Sequence, residues 1–306
     1  MCYSAQIHAE FSKFRRETGA TMDVESYMRV YWWQEGKRRR PKVPRAVERD
    51  ILKHGPAELA DLVERWDIWE AGQLALDIVE HIERISDGQQ ALAKKVTKKA
   101  QDDDRIGAKN MRAARRRVDV LGGKPSDTDR RIFPGVYCPV LVSEGGKRVV
   151  KLMRYQCRPA GKPVLYDRKY RGTYNARRDN LEGFWSGLFG RHHAVMIADR
   201  FYEHVEVDGE NRVLEFEPRT GEPMYVACLW SHWTDARGKD PDLLSFAAIT
   251  DEPEPEVAAA GHDRTIINIK PEHLDAWLNP DPSNLEALYA IFDDRQHPYY
   301  EHRQAA

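Results

Sequence analysis

The sequence predicts an α+β protein: an antiparallel, barrel-like sheet with flanking helices, interrupted after its first strand by a large helical insertion. Three observations carry this reading. From about residue 130 onward, short apolar runs alternate with hairpin signals. Between about 22 and 120, apolar residues recur at helical spacing and Pro and Gly are sparse. The strands are short, with tight turns between several of them, which favours antiparallel pairing over a parallel sheet. The 306 residues permit one large domain or two. We read one, spanning 1–306, with residues 22–120 as the insertion.

The elements follow in order. Residues 2–7 read as a short strand, and 8–18 as a helix with Phe11 and Phe14 on one face and Gly19 as its stop. In the insertion, Leu59, Leu62, Val63, Trp66 and Trp69 keep helical spacing, as do Leu74, Ile78, Val79, Ile82 and Ile85. The stretch 58–87 is acidic and 94–117 is basic, with Ser86-Asp87-Gly88 as the expected break between them. This predicts a helical hairpin of opposite charge. The basic arm reads first as a solvated face neutralised by the acidic arm, and second as a nucleic-acid contact. Tyr137 to Val142 and Arg148 to Leu152 flank Glu144-Gly145-Gly146, a hairpin. His204 to Val207 and Val213 to Phe216 flank Asp208-Gly209-Glu210-Asn211, a second one. Met224 to Leu229, Ser245 to Thr250 and Thr265 to Ile269 read as further strands. Pro271 opens a helix ending near Leu278, and Ser283-Asn284-Leu285-Glu286 starts another that runs to about Phe292. Tyr299 to Ala306 reads as a tail.

Composition narrows the class. Hydrophobic residues make up 41% and aromatics 10%, enough for a substantial core. Lys+Arg number 48 against 49 Asp+Glu, so any basic surface must be local. Cys2, Cys138, Cys157 and Cys228 form no CxxC pair, which argues against a zinc site and a disulfide framework and fits a reducing compartment. No metal or other cofactor is expected. There is no signal-peptide core and no apolar run approaching a membrane span. A soluble, intracellular protein is expected.

The chemistry gathers first at Met1-Cys2. If Met1 is removed, Cys2 carries a thiol and a free α-amine on one skeleton. These titrate near roughly 8.5 and roughly 8, so both are partly nucleophilic at neutral pH. Such a 1,2-aminothiol condenses with an aldehyde to an imine, and the thiol then closes a thiazolidine. Three downstream stretches are candidates to serve it: Tyr174 to Arg177, Ala198-Asp199 through Glu203, and Gly261-His262-Asp263-Arg264.

In order along the chain, Met1-Cys2, Phe133-Pro134-Gly135, Asn175-Ala176-Arg177, Ala198-Asp199 through Glu203, Ala227 to Trp230, Phe246 to Thr250, His262-Asp263-Arg264 and Pro271 to Leu278 resemble the SRAP family. These are the SOS response-associated peptidases, which bond covalently to abasic DNA. The resemblance implies roles. Cys2 would be the nucleophile, exposed by autocatalytic release of Met1. Asn175 would hold the Cys2 terminus and the reacting sugar. Glu203 would relay protons, and His262 would act as acid and base on the opened sugar. Arg177 and Arg264 would hold phosphates flanking the lesion. The partner would be single-stranded DNA carrying an abasic site, whose ring-opened form is an aldehyde. The location would be cytoplasmic, at the nucleoid during DNA damage. The departures are equally specific. The family starts Cys-Gly-Arg where this chain has Cys2-Tyr3-Ser4, its tryptophans are missing from Tyr155 to Pro159, and Thr265-Ile266 replaces Met-Pro. Two other readings are a cysteine peptidase acting on other proteins through Cys2 and His262, and an interaction protein that binds through 22–120.

Overall fold

The structure is a computed structural model that describes residues 3–36, 40–126, 128–207 and 209–305. The chain opens with β1 (Ser4–Ile7), α1 (Phe11–Thr18) and β2 (Thr21–Met22). Gly19 ends α1 at φ 68°, its N–H returning to the Arg15 carbonyl, the left-handed stop that glycine makes cheaply. Helices α2 (Val24–Gly36), α3 (Arg45–His54), α4 (Ala57–Lys94) and α5 (Lys98–Leu121) follow. Then come β3 (Arg131–Ile132), β4 (Tyr137–Glu144), β5 (Lys147–Tyr155), α6 (Tyr166–Lys169), β6 (Asn175–Arg177), β7 (His193–Val207) and β8 (Glu210–Pro218). The rest is β9 (Met224–Trp233), β10 (Leu243–Asp251), α7 (Pro255–Ala259), β11 (Thr265–Ile266), α8 (Leu274–Leu278), α9 (Leu285–Asp293) and β12 (Tyr300–Gln304).

Strands β4, β5, β10, β9 and β7 pair in a ring that closes from β7 back to β4. The α+β, barrel-like prediction holds. The sheet is mixed, however: β5–β10, β6–β10 and β2–β5 are parallel. A tight turn forces antiparallel pairing only on consecutive strands. Strands that meet through closure of the ring have no such constraint. The β4–β5 hairpin turns at Gly145 and Gly146, φ 56° and 74°, the left-handed pair that a two-residue turn requires. In the second hairpin, Asp208 lies outside the described residues.

Alternate residues of β4 and β7 feed two cores, as the two-residue strand period dictates. Val140, Val142, Ala194 and Met196 pack with Tyr155 and Phe246, and with Tyr27, Tyr31, Ile51, Leu62 and Trp66 from the helical insertion. Leu141, Val195 and Ile197 pack with Trp277 and Phe292. The Trp277 indole donates to the Ala194 carbonyl at 2.9 Å and stacks on His193 with ring centroids 3.8 Å apart. The base of the insertion is tied by a buried ion network. Arg45 and Arg40 both reach Glu48 and Asp67, and Arg40 also reaches Glu70.

Three sequence expectations change. No break occurs at Ser86-Asp87-Gly88: α4 runs through it and ends at Lys94. Gly88 serves close packing instead, since a Cβ there would lie 2.9 Å from the Asp104 backbone nitrogen on α5, and one at Gly107 would lie 2.8 Å from Ile85 Cγ1. The tail is a strand, β12, paired with β8, and Tyr300 is buried against Phe201. The hairpin of opposite charge does form, with Arg117 on Glu70 and Arg84 on Asp103. Its neutralisation is incomplete: Lys94, Lys95, Lys98, Lys99, Lys109, Arg112, Arg115 and Arg116 have no ion-pair partner among the described residues. No described helix is long and apolar enough to cross a membrane.

Candidate active site

Strand β7 delivers Glu203 and the loop after α7 delivers His262. The register of β1 on β7 shifts between Gln6 and Ile7, and such a bulge bends and twists the strand. Asp199 sits at this irregularity. Its carboxylate takes His8 Nε2 at 2.6 Å and Arg130 at 3.8 Å. The Ala198-to-Glu203 stretch thus divides its work, with Asp199 fastening the chain that leaves β1 and Glu203 turning to the site. On the other side, Gly261 takes φ 93°, a conformation that disfavours side chains, and the turn brings His262 over β7.

Glu203 is 1% exposed, and its Oε2 lies 3.3 Å from His262 Nε2. Burial pushes the Glu203 carboxyl up to about 8, against the downward pull of a bond from the Tyr3 backbone N–H. Burial lowers the His262 pKa, partly offset by its bond to the Arg264 carbonyl. That carbonyl is 2.8 Å from Nδ1 and the Arg264 N–H is 3.3 Å away. The shorter contact assigns the ring proton to Nδ1, which leaves the Nε2 lone pair facing Glu203. Near neutral pH the site therefore holds mostly a protonated acid facing a neutral imidazole.

The chain's start is aimed at this pair. Ser4 opposes Tyr202 on β7, and Tyr3 bonds Glu203 through its backbone. Met1 and Cys2, the expected leaving residue and nucleophile, lie outside the described residues. Asn175 is 7% exposed, on β6 beside Ala248 of β10. Its Oδ1 accepts from the Tyr155 hydroxyl at 3.4 Å, and Tyr155 is itself wedged between Tyr174 and Phe246. Arg177 reaches outward and forks onto Asp179, its Nε donating at 2.9 Å. The Arg264 guanidinium faces Asp263 at 3.6 Å. The structure thus joins Glu203 and His262 directly, while Asn175 and Arg177 lie on a separate strand. Among the described residues no group of His, Cys, Asp and Glu is arranged to hold a metal ion.

Sequence reasoning missed two features. Arg131 Nε donates to Ser4 Oγ at 3.1 Å, and its guanidinium lies 3.6 Å from the Tyr202 ring centroid. A cation thus stands beside Ser4, where the sequence noted a basic side chain missing. Its signal was the strand pairing of 131 with 6, which no local pattern reveals. The second feature is at Tyr155 to Pro159. Gln156 has φ 113°, the one non-glycine residue with positive φ among those described. Beyond it, Arg158 stacks over Trp233 at 4.5 Å and pairs with Asp167. A tryptophan thus does pack against this stretch, but it comes from β9 and is buried.

Comparison with known proteins bears on the fold and the family. A model of the SOS response associated peptidase (SRAP) family matches residues 96–304. No curated protein matches the chain. A crystal structure of a protein from Bacteroides thetaiotaomicron is 14% identical with a TM-score of 0.51, covering 62% of this chain and 88% of that one. A protein from Bordetella bronchiseptica is 17% identical with a TM-score of 0.49, covering 58% and 87%. The fold is shared with the first of these, and the family match spans more than half of the sequence. It associates the chain with the SOS response to DNA damage and with peptidase-type chemistry. By this match over residues 96–304, the chain belongs to the SRAP family.

Proposed function

We propose that the protein removes its own Met1 and then uses Cys2 to crosslink abasic sites in single-stranded DNA. The observation that carries this reading is the buried Glu203–His262 pair at the place where β1 brings Tyr3, the neighbour of Cys2. An N-terminal aminothiol needs both a proton acceptor and a proton donor at hand. A buried carboxyl that titrates at about 8 supplies both. Its ionised fraction is a strong base for the attack that frees Met1. Its protonated form is an acid for the steps that follow.

Those steps balance as follows. The Cys2 amine adds to the aldehyde of the opened deoxyribose, and the carbinolamine loses water to give an imine. Glu203 gives the proton that water needs to leave and takes back the one that the nitrogen sheds as the imine forms. The Cys2 thiol then adds across the C=N bond, sulfur to carbon and its proton to nitrogen, closing the thiazolidine. His262, neutral and held by the Arg264 backbone, exchanges protons with Glu203 and with the sugar oxygen. Asn175, fixed by Tyr155, holds the N-terminus and the sugar. Arg177, Arg264 and Arg131 hold flanking phosphates.

The test incubates purified protein with a single strand carrying one abasic site. A denaturation-resistant adduct is expected. It should vanish with Cys2→Ala, and also when borohydride has first reduced the aldehyde to an alcohol. An adduct that survives either control overturns the reading.

A further inference from the structure

Helix α4 carries an apolar stripe that no described residue of the chain covers. At about 100° per residue, Ile68, Gly72, Ala75, Val79 and Ile82 fall within an arc of about 80°, with Leu76 at its edge. Ile68 is 74% exposed, Leu76 66%, Val79 55% and Ile82 46%. The opposite side of the helix is the one that meets α5, through Glu70, Arg84, Ile85 and Gly88. The stripe is therefore not the buried face of the hairpin. Solvent-facing helix surfaces are ordinarily polar, and contiguous exposed apolar surface marks an interaction site.

We infer that this stripe is a homodimer interface, on which α4 of a second copy lies antiparallel across a two-fold axis at Ala75. Three features select that occupant. The ends of the stripe are symmetric about Ala75, with Ile68 and Ile82 each seven residues from it, so each meets the other's counterpart when the helices run in opposite directions. The small residues Gly72 and Ala75 lie at the crossing, where backbones come closest. At Gly72 an added Cβ would meet nothing within 4 Å, so the approach is open. The third feature is charge. Arg65 and Glu83 are both exposed and flank the stripe on the same side. In the antiparallel arrangement Arg65 of each copy stands about 3 Å along the axis from Glu83 of the other, twice over, at a rise of about 1.5 Å per residue. In a parallel pair Arg65 of one copy and Glu83 of the other would lie about 27 Å apart along the axis, out of reach.

The stripe is about 21 Å long. One helix pair falls short of the roughly 800 Å² per partner of a standard interface, so weak, concentration-dependent association is expected. Sedimentation of the full chain over a concentration series reads this directly. The wild type should move from one to two copies per particle, and Val79→Glu should remain at one with unchanged circular dichroism. Arg65→Glu should weaken association about tenfold, and adding Glu83→Arg should restore it. Orientation is read in a Cys2→Ser background, where Ile68→Cys should form a disulfide with an Ile82→Cys chain and not with itself. A wild type that stays single throughout, a dimer indifferent to Val79→Glu, or self-crosslinking of Ile68→Cys would each overturn the inference.

Discussion

Glu203 Oε2 lies 3.3 Å from His262 Nε2, yet the two groups meet as a protonated acid and a neutral imidazole rather than as an ion pair. Burial drives both in that direction, raising the carboxyl and lowering the imidazole. The pair can exchange one proton without creating a buried unmatched charge. That suits a reaction in which the amine, the water and the thiol each move a proton in turn.

Glu203→Gln keeps the shape and removes the titrating proton. Met1 removal should slow by about 10²–10⁴-fold, the usual contribution of a general acid–base group. Intact-mass spectrometry reads the ratio of processed to unprocessed chain over time. Equal rates in wild type and variant would remove Glu203 from the processing step.

The same carboxyl costs stability in a defined pH window. Its folded pKa, about 8, stands above the reference value of 4.5, so between these values the folded state holds a proton that the unfolded state has lost. The carboxyl's contribution is fully present below pH 4.5 and is lost as pH rises to about 8. Wild-type stability should fall relative to Glu203→Gln across that window, at up to about 1.4 kcal/mol per pH unit. Above it the two curves should run parallel. Denaturant unfolding of both proteins at several pH values measures the difference. A constant difference from pH 4 to 9 would mean that Glu203 titrates normally.

Phosphate holding makes a separate prediction for the arginines. Arg177→Ala, Arg264→Ala and Arg131→Ala should each weaken binding to intact and abasic strands alike. Each should also flatten the salt dependence by one contact, about 0.7 in log–log slope for a single strand. Arg177 must leave Asp179 to reach a phosphate, so Asp179→Asn should tighten binding. Fluorescence anisotropy at several salt concentrations reads all four variants. A loss confined to abasic DNA would place that arginine in the chemistry instead.

Local pattern made much of the fold legible. The spacing of Leu59, Leu62 and Trp66 marked a helix, and Gly145-Gly146 marked a hairpin. Gly88 was misread because a glycine in a helical run signals a break equally well whether it ends the helix or admits a neighbour. The barrel closure, the parallel β5–β10 contact and β12 were invisible, because non-local pairing leaves no period in the sequence. The site shows the same divide. Glu203 and His262 were named only through the order of their motifs, and their contact came from the fold. Arg131 beside Ser4 had no such order to announce it.

The last prediction concerns the insertion. Excision of the whole insertion, 22–120 as the sequence marks it, is the obvious first cut. That cut would remove Tyr27, Tyr31, Ile51, Leu62 and Trp66 from the core they share with Val140 and Leu152. Losses of this kind cost about 2–5 kcal/mol each, enough together to unfold a domain. The separable part is the distal hairpin. Between residues 67 and 131 no described residue belongs to either core, and the Arg117–Glu70 pair marks where the hairpin leaves the base. Joining Ala71 to Arg116 by a short Gly-Ser linker keeps that pair and the Arg45–Asp67 network. The shortened protein should fold and form adduct in wild-type yield, because every residue proposed for the chemistry lies outside the deleted stretch. Its salt slope should also be unchanged, since α4 and α5 carry nearly equal numbers of acidic and basic side chains. Adduct yield and salt dependence, measured beside the full chain, decide this. A fallen yield with a flatter slope would assign the exposed Lys94-to-Arg115 cations to the DNA site.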